Sequence, residues 1–180
     1  MARAQQSSVP ILRGTLAGLA SFAVGYLLTY LLASGPASEG ALNAAAAETW
    51  RSVGWVFYSA HFVETVGTFS AFGLSISEAT NWVASTDGLT QALYVVPPLL
   101  LLVAGVAVGR SLDPSGSVSG VTAGLTVVPA YAVCTVGGVF VLRRSGDLGT
   151  IGPDLALAAL AGIGYPLVFG VLGAVAGHRT

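Results

Sequence analysis

Leu155 to Ala176 reads LALAALAGIGYPLVFGVLGAVA, a run without a single charged side chain. A helix rises about 1.5 Å per residue, so this run is long enough to cross the ~30 Å hydrocarbon core of a bilayer. Pro153 and Asp154 precede it, and His178 and Arg179 follow. Proline suits a first helical turn, and a carboxylate suits the positive end of a helix. The run therefore reads as a membrane span with its own start and stop.

Three more runs of the same kind lie upstream. One extends from Ile11 to about Ser34, with no charge after Arg13; another from about Leu93 to Gly109, closed by Arg110; a third from Val118 to Leu142, just before Arg143 and Arg144. The predicted spans are thus 11–34, 93–109, 118–142 and 155–176. The short basic leader (Arg3, Arg13) resembles the start of a signal peptide. Its apolar stretch is longer than a signal core, so it reads as a retained signal-anchor helix with a cytoplasmic N-terminus. Short connections between the later spans predict antiparallel neighbours.

Composition agrees. Of 180 residues, 54% are hydrophobic and only 8% charged, against roughly 25% charged in ordinary soluble domains. A soluble chain this short cannot hide so much apolar surface from water; lipid is the remaining solvent. The net charge of −1 offers no basic stripe to a nucleic acid, so that partner class is excluded. All seven basic residues are Arg, and Cys134 is the one cysteine, so no intramolecular disulfide forms.

Residues 35–91 are read as an extramembrane or interfacial segment. They hold five of the eight acidic residues: Glu39, Glu48, Glu64, Glu78 and Asp87. At about 100° per residue, Arg51, Tyr58, His61, Glu64 and Thr65 share one arc, and Trp55, Val56, Phe62, Val63 and Val66 the opposite one. Seven of the 16 aromatic residues fall between Trp50 and Phe72, a density that fits the headgroup layer. The reading is an amphipathic helix at the membrane surface; the alternative is a fifth span over 53–76. The positive-inside rule divides the arginines four against three under either topology, so it favours neither.

Without a hydrophobic force between helices in lipid, small residues must let backbones approach. Gly14 and Gly18, Gly105 and Gly109, Gly116, Gly120 and Gly124, and Gly173 and Gly177 supply four-residue spacings in the four spans. They are the predicted helix-packing residues of a compact bundle. Pro97, Pro98, Pro129 and Pro166 are expected to interrupt the later spans.

Candidate chemistry is sparse. Tyr58, His61 and Glu64 stand three apart, on neighbouring turns of one helix face, and form the single speculative polar site. Such a set shuttles protons or supplies two metal ligands, but two ligands do not complete a metal site. The wet face of an interfacial helix is the preferred reading of the set. No Lys exists for a phosphate loop, and the chain has no paired-His zinc helix and no nucleophile elbow. No catalytic, cofactor-binding or metal residue is therefore assigned, and no cofactor is expected.

A resemblance adds to this. Gly25–Tyr30 at the end of a glycine-rich first span, then Val53–Val63 (VGWVFYSAHFV), Val96–Leu100 (VPPLL) and Tyr165–Gly170 (YPLVFG) resemble a family of small multi-pass membrane proteins of halophilic archaea with unassigned function. The resemblance covers nearly the whole chain, implies an archaeal cell-membrane location and about four spans, and transfers no catalytic residue. The expectation is an all-α integral membrane bundle. It is read as a non-enzymatic structural or helix-packing subunit, whose partners are the lipid bilayer and a second copy or another membrane subunit. The alternative is a small transporter or channel subunit with a polar mouth near His61 and Glu64.

Overall fold

The computed structural model describes residues 9–46, 48–72, 74–85, 88–112, 118–147 and 149–179; Arg3, Asp87 and Gly116 lie outside them. Four helices among these are long and apolar enough to cross a membrane: Ile11–Gly35, Thr90–Arg110, Gly120–Leu142 and Leu155–His178. The first is one continuous helix, α1 (Ile11–Ala37). The others are composite, and proline marks where they change. A 3₁₀ stretch, Gly88–Val95, leads into α4 (Val96–Arg110), with Pro97 and Pro98 in its first turn. Helix α5 (Gly120–Leu125) turns into α6 (Val128–Leu142), which has Pro129 in its first turn. Helix α7 (Leu155–Tyr165) passes through a π turn, Pro166–Gly170, into α8 (Val171–His178). Pro97, Pro98 and Pro129 therefore open new helical segments, where a proline lacks only an N–H that the start of a helix leaves unused, whereas Pro166 interrupts the continuous helix Leu155–His178.

Asp154 caps α7, its Oδ1 accepting from the Leu157 backbone N–H at 2.7 Å. Between α1 and the second apolar helix lie α2 (Gly40–Ala46), α3 (Thr49–Ser59), β1 (Thr65–Ala71) and β2 (Leu74–Thr80). Between the last two apolar helices lie β3 (Arg144–Gly146) and β4 (Gly149–Pro153). The four strands make one antiparallel sheet in the order β2-β1-β4-β3. All of these elements gather where α1 ends, α6 ends and α7 begins. They form a cap at one end of the bundle.

The cap corrects three expectations. The fold is not all-α, because it contains a four-stranded sheet. The helix drawn over 53–76 stops at Ser59, and β1 begins six residues on. From Thr65 the chain is rich in β-branched and aromatic residues (Thr65, Val66, Thr68 and Phe69), types that suit a pleated strand. With 11 residues, α3 is about 16 Å long and falls short of a span. Nor is α3 a wet surface helix, since Ser52 to Ser59 are all buried. It lies in the cluster of Trp55, Phe57, Tyr58, Val139, Leu142 and Ala158. There the Trp55 indole N–H donates to the Leu142 carbonyl at 3.1 Å, which satisfies a terminal acceptor of α6.

The apolar helices are not neighbours only in sequence order. Helix α4 and the composite helix that ends in α8 both run away from the cap, so α4 and α8 are parallel, and they make the most extensive helix contact. Glycines allow it. A Cβ on Gly105 would lie 2.8 Å from the Ala174 backbone N, and one on Gly173 would lie 3.0 Å from the Val106 backbone N. Gly109 and Gly177 face backbone atoms of Ala174 and Val106 in the same seam. Gly120 and Gly124 of α5 meet Val175 and Val171 of α8, while Gly14 and Gly18 of α1 meet Thr126, Val127 and Ala130.

Candidate functional site

The C-terminus of α3 positions the group with the most distinctive chemistry among the described residues, His61. After Ser59 the chain closes in a Schellman arrangement. The Val63 N–H reaches the Tyr58 carbonyl at 3.1 Å, and the Phe62 N–H reaches Ser59 at 2.9 Å. This motif needs a left-handed residue and usually finds Gly; here it is Phe62, with φ 58°. The Phe62 ring stacks on Tyr94, centroids 4.5 Å apart and planes 13° from parallel, a contact that opposes the steric cost. The residue just before the turn is His61. The cap thus aims the imidazole back into the bundle.

His61 is 3% exposed, and both ring nitrogens are engaged. Nδ1 lies 2.8 Å from the Phe57 carbonyl, and Nε2 lies 2.6 Å from the Tyr131 hydroxyl. A carbonyl only accepts, so Nδ1 carries the proton. Nε2 is then the acceptor for Tyr131 O–H. The ring sits edge-on to Phe57 at 4.7 Å and beside Tyr165 at 5.2 Å. Phe22 of α1 completes the enclosure, 5.1 Å from Phe57 and 5.7 Å from Tyr131. Burial pushes the His61 imidazole down to about 4, against the opposing pull of its bond to Phe57. The site holds a neutral histidine in a dry aromatic cage.

Tyr58 points to the same wall of α6. Its hydroxyl donates to the Thr135 carbonyl, and Gly138 leaves the room, since a Cβ there would run into that hydroxyl. Thr135 Oγ1 donates in turn to the Tyr131 carbonyl at 2.8 Å. Tyr58 and His61 therefore converge on two α6 residues one turn apart. Glu64 does not join them. It lies beyond the turn, half-buried, and its backbone carbonyl accepts from the Asp154 N–H at 2.9 Å. The three-residue spacing fails because the helix on which it depends has already ended.

On its outer side the cage borders a groove of about 490 Å³, lined by Phe62, Leu157, Leu160, Gly164 and Val168 together with His61 and Tyr165. Tyr165 is the last residue before the π turn. Pro166 has no N–H to give the carbonyl of Gly162 and its ring crowds that turn, so the helix widens there. Tyr131, Thr135 and Tyr165 were not singled out by sequence reasoning. The available signal was a Tyr and a Thr four apart in the otherwise apolar run Val128–Leu142.

Among the described residues, no three of His, Cys, Asp and Glu gather as metal ligands would, and Cys134 is half-buried. What the arrangement can do is pin the C-terminal end of α3 to α6 through satisfied hydrogen bonds, with α7 held by the ring contact of Tyr165 on His61. A family model described as a family of unknown function (DUF7978) matches residues 1–180. No curated protein and no solved structure matches.

Proposed function

We propose, for a chain that belongs to the DUF7978 family of unknown function, that it is a non-enzymatic, multi-pass subunit of the cell membrane. It acts as a rigid packing module that holds a small folded cap at one face of the bilayer. The observation that carries this reading is the glycine seam. Helices α4, α5 and α8 approach backbone to backbone at Gly105, Gly109, Gly120, Gly124, Gly173 and Gly177, which leaves little room for a path between them. Leu101, Val108, Ala123 and Val127 fill the centre beside Tyr131.

The seam also narrows where a partner binds. Its glycines are used within the chain, so a second subunit meets other surfaces, and the cap is the one with its own fold. Arg13, Arg110 and Arg179 lie at the opposite end, where the Arg13 guanidinium donates to the Ser111 carbonyl at 2.9 Å. That end carries the N-terminus, which the basic leader of the first span places in the cytoplasm under this reading. The absence of Lys supports a halophilic archaeal host.

A second reading, a small transporter or channel subunit, draws on the π turn and the groove beside His61, because such turns recur at functional sites. One measurement separates the two. The protein is reconstituted in vesicles carrying an internal pH dye, and a pH step is applied. A packing module leaves proton entry at the rate of empty vesicles. Entry that rises with protein content and is lost in Tyr131→Phe overturns the module reading in favour of transport.

A further inference from the structure

The groove beside the cage lies on the outer face of α7, and the sequence shows how it arises. Leu160, Gly164 and Val168 stand four apart, so they share one helix face. The missing side chain of Gly164 leaves a notch between its two larger neighbours, and a Cβ there would meet nothing within 4 Å. Leu160 and Val168 are 69% and 49% exposed, so in a membrane this face is turned to lipid. Phe62 of the cap, Tyr165 and Phe169 give the notch aromatic walls.

One polar group on this wall is unaccounted for. The hydroxyls of Tyr26, Tyr58, Tyr94 and Tyr131 each bond to the protein, at Trp50, Thr135, Asn81 and His61. The Tyr165 hydroxyl bonds to no described residue. Tyr165 stands ten residues past Leu155, about 15 Å along the helix axis and so near the middle of a ~30 Å hydrocarbon core. A hydroxyl left unpaired in an apolar medium costs free energy, because nothing replaces its bond to water. Lipid chains bring no acceptor to that depth, since their polar groups stay at the two interfaces. A polar side chain so placed inside a span marks a functional site.

We propose that this groove is a binding site for an isoprenoid quinone, with a ring carbonyl of the quinone accepting the Tyr165 O–H. The chemistry of the groove selects the class. Its ligand must dissolve in hydrocarbon, which excludes charged molecules and sugars. It must also carry an acceptor to the middle of the bilayer, which excludes a plain acyl or prenyl chain. The aromatic walls favour a flat ring, which they meet face-on or edge-on. A neutral quinone ring satisfies all three conditions, and its prenyl tail continues into the surrounding lipid.

Size and backbone agree with this assignment. The groove holds about 490 Å³, within the roughly 300–1,000 Å³ of small-molecule sites. The π turn follows Tyr165 directly, and Phe62 holds a left-handed φ of 58°; irregularities of both kinds recur at ligand sites. The ligand enters sideways from the lipid, so the glycine seam at the centre stays closed. The site therefore does not depend on the packing-subunit reading, and its failure would leave that reading untouched.

Direct binding tests this in the full-length protein, held in phosphatidylcholine nanodiscs with empty nanodiscs as the blank. The probe is tritium-labelled 2-methyl-3-prenyl-1,4-naphthoquinone. Saturable binding of one quinone per chain is expected. Tyr165→Phe should weaken it about fivefold to tenfold, the worth of one hydrogen bond. Gly164→Leu fills the notch and should abolish it. The carbonyl-free analogue 2-methyl-3-prenylnaphthalene should compete about fivefold to tenfold less well than the quinone on the parent, and equally well on Tyr165→Phe. With no quinone added, neither variant should melt below the parent, because neither loses a protein contact. Absence of saturable binding overturns the site. So does a hydrocarbon analogue that competes as well as the quinone on the parent, which makes the groove a seat for ordinary lipid chains. A Tyr165→Phe variant that melts lower without quinone, yet binds it with parental affinity, also overturns it and assigns the hydroxyl to the fold.

Discussion

Replacing Gly105 by Ala places one methyl group in the α4–α8 seam. The new Cβ would lie 2.8 Å from the Ala174 N and 3.0 Å from the Gly170 carbonyl carbon. Both obstacles are backbone, so no side-chain rotation relieves them, and ordinary contact begins near 3.5 Å. The two helices must part by several tenths of an ångström or more along their most extensive contact. A radial gap of 0.5–1 Å forfeits about a quarter to a half of each dispersion contact it affects. Overpacking of this kind costs about 1–3 kcal/mol. The internal control is Gly137→Ala on α6, where nothing stands within 4 Å of the new Cβ. There the exchange improves helix propensity by up to about 1 kcal/mol. The two single variants should therefore differ by about 1–4 kcal/mol, up to the order of 10 °C in melting temperature for a chain of this length. Thermal melts in mild detergent, followed by tryptophan fluorescence and by loss of the monodisperse chromatographic peak, read the difference. If Gly105→Ala and Gly137→Ala melt together, the seam does not hold the bundle, and the argument for a closed centre falls with it.

The cage makes three further predictions. Tyr131→Phe leaves His61 Nε2 buried without a donor and should cost about 1–3 kcal/mol. Adding His61→Leu removes the orphaned nitrogen, so the double variant should lose less than the sum of the two single changes in a double-mutant cycle; strict additivity would refute the bond. Because the folded protein holds His61 neutral, with a pKa near 4, while an exposed histidine titrates near 6.5, the unfolded chain binds the extra proton between those values. Stability should therefore be unaffected by His61 above pH 6.5 and fall by about 3 kcal/mol as pH drops from 6.5 to 4. This slope should be missing from pH-dependent melts of His61→Leu. At Phe62, whose φ is 58°, Gly relieves the backbone but forfeits the Tyr94 stack, so Phe62→Gly should stay within about 1 kcal/mol of the parent. Phe62→Val adds a β-branch to the same backbone and should cost at least about 2 kcal/mol; equal melts for the two would refute the left-handed cap.

Much of the cap was not legible in the sequence, and the reason is local. From Val53 to Ile76 the apolar residues satisfy a helical projection, yet Phe62 ends the helix in a conformation that sequence patterns assign to Gly. A helix-stop signal was therefore missing where the helix stops. The strand Thr65–Ala71 gains its identity from β4, some 80 residues later, and no local window contains that pairing. The site follows the same pattern. Tyr58 and His61 were visible as a helix-spaced pair, but Tyr131 and Thr135 belong to another apolar run. Glu64 shared their spacing and not their destination.

The sequence by itself determined what depends on composition and on runs within one segment: a chain with too few charges for water, four nearly uncharged stretches long enough to span, and glycines one turn apart in each. These are properties of a residue and its near neighbours, and lipid selects on them directly. The tertiary structure decided which helix each glycine face meets. Parallel α4 and α8 became partners although α5 and α6 lie between them in the chain. It also decided that the polar arc of α3 turns inward, because a histidine and a tyrosine can leave water only where the hydroxyl of Tyr131 and the carbonyls of Phe57 and Thr135 replace it.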